Sequence, residues 1–303
     1  MIIRWGLEEL PGVLGDLGID RPLLVAGRRW DALAVPATAR WSEIPSDRIA
    51  VPREVDGIVA VGGGSAIDTG KAASAASSLP LVSVPTTYSG AEWTAFFGVR
   101  TPARRQVGGG SGARLGGIVY DPVLTLDLPP AESGGTALNA LAHCVEALYP
   151  GELEVARRGA AGIDEWLPQV LENGHDLVAR THLLEAASDA GEALAAHGLY
   201  LGHAMAQAVG GRYGLPHGAM NALCLPPAMR FNTEAVPWAM TAVPVERVEE
   251  LARLGGFGRL RDFGVPEGDL DELGAAAAAR PGAQANPRPA SPADVAALYR
   301  SVW

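Results

Sequence analysis

Gly57-Ile58-Val59-Ala60-Val61 runs directly into Gly62-Gly63-Gly64-Ser65 and then into Ala66-Ile67-Asp68-Thr69-Gly70-Lys71-Ala72-Ala73. An unbroken aliphatic run of this length fits a strand buried on both faces of a parallel sheet, and the Ala-rich stretch from Asp68 to Ser77 fits the helix that crosses back over it. The glycines between them leave backbone N–H groups bare at a helix N-terminus, where the positive end of the helix dipole suits a pyrophosphate. The alternative is a plain tight turn. Gly108-Gly109-Gly110-Ser111 repeats the same four letters between Arg104-Arg105-Gln106 and Gly112-Ala113-Arg114. No strand precedes that copy and no helical pattern follows it, so it reads as a flexible hairpin or loop. Context makes the first copy the candidate.

Working outward, Pro22-Leu23-Leu24-Val25-Ala26-Gly27 and Leu79-Pro80-Leu81-Val82-Ser83-Val84-Pro85 are further buried-strand runs, which makes the first third of the chain α/β. After Tyr120-Asp121-Pro122 the character changes. From Ala131 onward Ala, Leu, Glu and His recur at helical spacing, with Gly or Pro breaks near residues 150, 174, 211 and 216 and no clear strand. The expected organisation is a Rossmann-like α/β domain with a parallel sheet over residues 1–129 and an all-helical domain over 130–303, meeting at Pro129-Pro130. A Pro-rich connector from Arg280 to Pro292 leads into a short terminal helix, Pro292 to Val302.

The 303 residues suffice for a sizeable core, and 48% hydrophobic against 19% charged residues excludes a disordered polyelectrolyte. With 24 basic residues, 34 acidic ones, a net charge of -10 and no basic stripe, no nucleic-acid partner is expected. Cys144 and Cys224 form no CxxC pattern, which argues against a disulfide framework and fits a reducing cytoplasm. The N-terminus lacks a signal-peptide pattern and no apolar run reaches the roughly 18 residues of a membrane span, so a cytoplasmic protein is expected.

Two oddities stand out. Lys71 is the single Lys among the 24 basic residues, and a chain that otherwise uses Arg points to a need for a compact ammonium there, against the plainer reading of a solvated surface Lys. All six His lie between His143 and His217. Asn139 and His143 are four residues apart on one helical face, and His203 and His217 follow in later segments, a spacing that would assemble a site for a metal or a substrate between helices. Each of these three His, taken singly, also fits a satisfied core residue. His175, His182 and His197 sit among Glu and Asp and read as surface or structural.

The stretches 62–71, Pro85-Thr86-Thr87-Tyr88-Ser89-Gly90-Ala91-Glu92 and Tyr120-Asp121-Pro122 resemble the iron-containing alcohol dehydrogenase superfamily, which shares the dehydroquinate synthase-like fold. Residues 139–149 and 209–217, with the tail Asn286-Pro287-Arg288-Pro289, are most similar to its maleylacetate reductase branch. The resemblance implies NADPH or NADH on the first domain, hydride transfer to a small oxo compound in a cleft between domains, and a homodimer. It implies that Gly62, Gly63, Gly64, Ser65 and Asp68 hold the cofactor phosphates, joined by Lys71, with Thr86, Thr87 and Ser89 lining the cofactor. It implies catalytic roles for His143, His203 and His217, which in metal-using relatives are ligands to Zn or Fe.

This chain departs from that pattern. The fourth ligand position is the neutral Asn139, which weakens a divalent-cation site and fits the branch that works without metal. The family's further active-site His is Gln207, which cannot shuttle a proton. Only about thirty residues separate the strand at Leu23 from that at Ile58, so the adenine side is short. Arg28 and Arg29 are placed either to meet a 2'-phosphate, favouring NADPH, or to sit in a solvated loop. Arg104, Arg105 and Arg230 are candidates for neutralising a substrate carboxylate. The leading expectation is a reductase of a maleylacetate-like oxo acid, aldehyde or ketone. The alternatives are a metal-dependent alcohol dehydrogenase, a cyclase or lyase of the dehydroquinate synthase type, and a degenerate binding member.

Overall fold

The aliphatic runs alternate between the two faces of one parallel sheet. The computed structural model describes residues 1–103 and 106–303. Contacts divide it into two compact units, Met1–Leu126 and Asp127–Trp303. In the first, the elements are β1 (Ile2–Trp5), α1 (Leu10–Asp16), β2 (Pro22–Ala26), β3 (Ala39–Trp41), β4 (Gly57–Gly62), α2 (Gly64–Ser77), β5 (Pro80–Pro85), β6 (Phe97–Arg100), β7 (Gln106–Gly110) and β8 (Arg114–Tyr120). Among the described residues six strands pair in the order β1-β8-β5-β4-β2-β3, every pair parallel, while β6 and β7 form an antiparallel hairpin.

Register explains why the runs are apolar throughout. Leu24 pairs with Val59 and Val59 with Val82, and these side chains join Val13 and Leu14 of α1 in one core layer. Their neighbours Leu23, Ile58 and Leu81 point the other way, onto Ile67 and Ala73 of α2. Period-two alternation with a helix on each face leaves no polar side to the strand.

The sheet corrects the sequence reading at two places. Leu23 lies on the second strand, because the short edge strand β1 precedes it. Strand β8, next to the edge strand β1, was hidden by Gly116 and Gly117, where α1 packs so close that a Cβ would meet Leu17 and Val13 at 2.9 Å. The second Gly-Gly-Gly copy lies in β7, one arm of a hairpin, which is one of the two readings the sequence left open.

Lys71 is neither solvated nor free. It is 1% exposed, and its ammonium donates to the Ala91 and Phe96 carbonyls at 2.7 Å each and meets Asp68 Oδ1 at 3.0 Å. Asp68 Oδ2 in turn accepts from Gly98 N at 3.2 Å. Three tetrahedral donors and three internal acceptors tie α2 to the segment between β5 and β6. In that segment the buried Glu92 accepts from the Tyr120 hydroxyl at 2.8 Å, which itself accepts from Trp93 Nε1 at 2.8 Å. Burial pushes the Glu92 carboxyl above the usual range.

The second unit is helical: α3 (Pro130–Ala147), α4 (Glu154–Glu172), α5 (Leu177–His197), α6 (Leu201–Tyr213), α7 (His217–Asn232), α8 (Pro237–Ala242), α9 (Val245–Leu254), α10 (Leu270–Ala278), α11 (Pro281–Gln284) and α12 (Pro292–Ser301). α3 is buried on nearly every side from Ser133 to Ala147 and packs against α4, α5 and α7. The expected break near residue 211 is absent, since α6 continues through Gly210-Gly211; the chain breaks instead at 198–200, where Gly198 has φ of +78°. The connector after Arg280 contains the single helical turn α11. No helix among the described residues is long and apolar enough to cross a membrane.

Replacing Lys71 by Met strands two main-chain carbonyls and the partly buried Asp68 carboxylate and is expected to cost about 3 kcal/mol in urea unfolding; an unchanged midpoint would refute the bracing role. For Glu92, a folded-state value above the unfolded one means that stability falls as pH rises from about 4.3 through the raised value. Glu92→Gln should flatten that fall, as measured by urea unfolding across this window, and an identical pH dependence in both proteins would contradict it.

Candidate functional site

Two clusters of the expected residues assemble, one in each unit. In the α/β unit β4 ends at Gly62, and α2 begins at Gly64, after the one intervening residue Gly63, with no side chain capping its first N–H groups. The turn is pinned to β5 by Thr86 N donating to Gly62 O at 3.1 Å. A Cβ on Gly63 would lie 2.8 Å from the Thr87 methyl group, so a side chain there would fill the concavity. Ser89 Oγ lies 3.4 Å from the corresponding point on Gly64. The Thr87 hydroxyl is buried without a hydrogen-bond partner. Bare N–H groups, an absent side chain and an unsatisfied hydroxyl fit an anionic cofactor phosphate.

Gly62, Gly63, Gly64, Ser65, Thr86, Thr87 and Ser89 therefore come together. Asp68 and Lys71 do not join them as phosphate ligands, because their charged atoms are committed to each other and to the segment between β5 and β6. Arg28 opens the single turn Arg28–Trp30 just past β2 and is exposed. Trp30 Nε1 lies 3.9 Å from the position of a Gly62 Cβ, so this turn borders the cradle. Arg29 stacks over Trp30 at 4.5 Å.

In the helical unit Asn139 and His143 from α3, His203 from α6 and His217 from α7 converge. The rings of His143 and His203 stack at 4.8 Å, and those of His203 and His217 lie 5.9 Å apart. Asn139, His143 and His203 are at most 4% exposed. The convergence needs backbone contact between helices: a Cβ on Gly218 would lie 2.3 Å from the Gly135 carbonyl oxygen, so only glycine lets the start of α7 press on α3.

Two further residues complete the cluster. Glu146, fully buried on α3, accepts from Tyr200 N at 2.7 Å, His203 N at 3.2 Å and His203 Nδ1 at 2.7 Å. It thereby caps the N-terminus of α6 from another helix and fixes the His203 ring with its proton on Nδ1. His203 Nε2 is left buried with no partner. Asn221, also fully buried, donates Nδ2 to Asn139 Oδ1 at 2.7 Å and lies 3.0 Å from His217 Nε2. Asn221 repeats the i, i+4 spacing that flagged Asn139 and His143, so a signal existed. Glu146 had none, since its partners lie more than fifty residues away.

Burial, and then the neighbouring His203 and His217, hold the His143 imidazole well below the ordinary histidine range. As arranged, the donor set does not fit a divalent cation. It contains no carboxylate, Asn139 Oδ1 and His217 Nε2 already face the Asn221 amide, and Asn139 Nδ2 lies 3.4 Å from His143 Nε2. No described group of three His, Cys, Asp or Glu has the spacing of a metal site.

The remaining candidates fall elsewhere. Arg230 is tied to Glu246 at 3.1 Å and Glu249 at 2.7 Å, so its charge is spent. Arg104 and Arg105 lie outside the described residues. His182 pairs with Glu185 on the surface, His197 contacts the Ala147 carbonyl and His175 is exposed.

The chain matches family models described as "Fe-containing alcohol dehydrogenase family, C-terminal" over residues 134–303 and "Iron-containing alcohol dehydrogenase" over residues 48–114. It is 32% identical to a maleylacetate reductase of Pseudomonas knackmussii over 301 residues, covering 88% of this chain and 85% of the relative. Against the maleylacetate reductase of Pseudomonas sp. strain P51 it is 34% identical over 278 residues, covering 86% and 78%. The crystal structure of maleylacetate reductase from Rhizobium sp. strain MTP-10005 matches all of this chain and 95% of that one, with a TM-score of 0.86 and 28% identity. An iron-containing alcohol dehydrogenase from Corynebacterium glutamicum matches with a TM-score of 0.86 and 26% identity over all of this chain and 94% of that one.

Gly218→Ala is expected to force α7 off α3, costing roughly 1–3 kcal/mol and disordering the histidine cluster. Gly268, which has open space around it, serves as the control. Thermal unfolding of both alanine variants checks this, and equal melting temperatures would refute the close contact.

Proposed function

The chain belongs to the iron-containing alcohol dehydrogenase family and is an NAD(P)-dependent oxidoreductase, and we propose that it reduces a small oxo compound without a metal ion. Maleylacetate, the compound in the names of its relatives, is the first candidate substrate. The observation that carries this reading is the buried, unpartnered Nε2 of His203, aligned through Nδ1 by the buried carboxylate of Glu146.

The uncapped start of α2, with Gly63, Thr86 and Thr87 around it, would hold the cofactor phosphates, and Arg28 beside it favours NADPH. When bound, the nicotinamide supplies the hydride. The residues of this chain handle the proton. Carbonyl reduction leaves an oxygen that must gain one, and His203, whose Nδ1–H is held by Glu146, would pass to it a proton that Nε2 has first taken up from solvent. His143 and His217, kept in place by the amides of Asn139 and Asn221, would orient that oxygen and exclude water. The amides do for the cluster what a cation does in metal-using enzymes, which is to hold imidazoles from different helices at one point. A cyclase of the dehydroquinate synthase type finds no support in Lys71, whose three donors are used inside the α/β unit.

Protein purified without chelator should oxidise NADPH in the presence of maleylacetate while containing less than about a tenth of an equivalent of Zn or Fe, since three-His sites normally retain their metal. His203→Ala should lower kcat by about 100-fold or more and leave the NADPH dissociation constant unchanged. Stoichiometric metal that is needed for turnover, or a variant as fast as the parent, would overturn the reading.

A further inference from the structure

Gln207 follows His203 by one helical turn on α6, so the two side chains share a face, with Cβ atoms about 5–6 Å apart. Against Gln207 lies Arg280, in the short link between α10 and α11. Its Nη1 donates to Gln207 Oε1 and its Nη2 to the Gln207 carbonyl, each at 3.3 Å. The following Pro281-Gly282 step seats this link on the start of α6, where the Cβ position of Gly282 is 2.9 Å from Tyr200 O and 3.0 Å from Leu199 O.

The environment of Arg280 is unusual for this chain. Arg212, Arg230 and Arg247 each hold two carboxylates. The buried Arg180 has its charge surrounded by the Gly174 carbonyl, the Ser133 hydroxyl and the Leu128 carbonyl. Arg280 is part-buried, no carboxylate of the described residues pairs with it, and its Nε is buried with no partner at all. A guanidinium taken partly out of water without a counter-ion carries a desolvation cost that an anion would repay. Gln207 supplies an acceptor that orients the fork without cancelling its charge, which a carboxylate at the same position would do.

We propose that Arg280, oriented by Gln207, grips the anionic end of the substrate, so that the site takes an oxo acid in preference to a neutral oxo compound. Each Nη keeps a second N–H beyond its bond to Gln207, and these are the donors that a carboxylate accepts in bidentate fashion. This assignment rests on the reductase reading above, and it names the substrate class for that site. It also gives Gln207 a role that its lack of a titratable proton does not preclude.

The test compares two substrates of nearly equal length, succinic semialdehyde and butanal, by NADPH oxidation with the full chain, and measures succinate binding by calorimetry. The parent protein should prefer succinic semialdehyde and bind succinate. Arg280→Met should raise KM for succinic semialdehyde roughly 10- to 100-fold and KM for butanal far less, so that the preference between the two collapses. Gln207→Glu, which retains the arginine and pins it internally, should do the same, and it keeps the test sound should Arg280→Met fold poorly. Both variants should lose succinate binding. An unchanged substrate preference and unchanged succinate binding in the variants would overturn the assignment, as would a parent protein that reduces both compounds equally and binds no succinate; the reductase reading would survive in either case. If the parent reduces neither compound yet binds succinate through Arg280 and Gln207, the reductase reading fails and the anion site stands.

Discussion

The helical unit is organised around a carboxylate that has no access to water. Glu146 sits within α3 and would be prohibitively costly there unless something supplied several hydrogen bonds. The otherwise uncapped amides at the start of α6 supply two of them, and the ring of His203 supplies a third. One charge thus repairs two deficits, its own lack of solvent and the unsatisfied N-terminus of a helix with no cap of its own. The position of α6 on α3, the orientation of His203 and the placing of Gln207 all follow from that contact. α7 is held in another way, by the absence of side chains at Gly218 and Gly135, and this brings His217 and Asn221 to the same place.

The α/β unit solves a similar problem with the opposite charge. Lys71 holds the segment carrying Glu92 and Trp93 against α2 through acceptors arranged around one ammonium. A planar guanidinium could not satisfy the same three directions from that depth. The cradle at the start of α2 keeps its shape because this brace lies behind it, and the neighbouring β5 contributes Thr86 and Thr87.

Much of this was legible in the residues alone, because periodicity reports burial. The runs at Leu23, Ile58 and Leu81 have no polar face, and only a sheet covered on both sides has a use for such strands. β8 escaped the same reasoning because tight packing by α1 demands glycines at its centre, which look like a turn when read alone. The site shows the same division. His143, Asn139, His203 and His217 were visible through spacing and family likeness. Glu146 and Arg280 were not, since their meaning comes from Tyr200, His203 and Gln207, residues that only the folded chain brings beside them. Lys71 was noticed for its rarity, yet the rarity marked a structural brace, not a ligand.

The burial of Lys71 reaches beyond stability. Primary amines condense with aldehydes and ketones to form imines, and most proteins display many surface lysines to such compounds. This chain has 24 basic residues, one of which is Lys, and that ammonium is 1% exposed with its donors occupied. A catalyst for reactive oxo compounds built in this way offers its substrates no lysine side chain at the surface to modify, so its surface chemistry is compatible with the molecules it is proposed to consume.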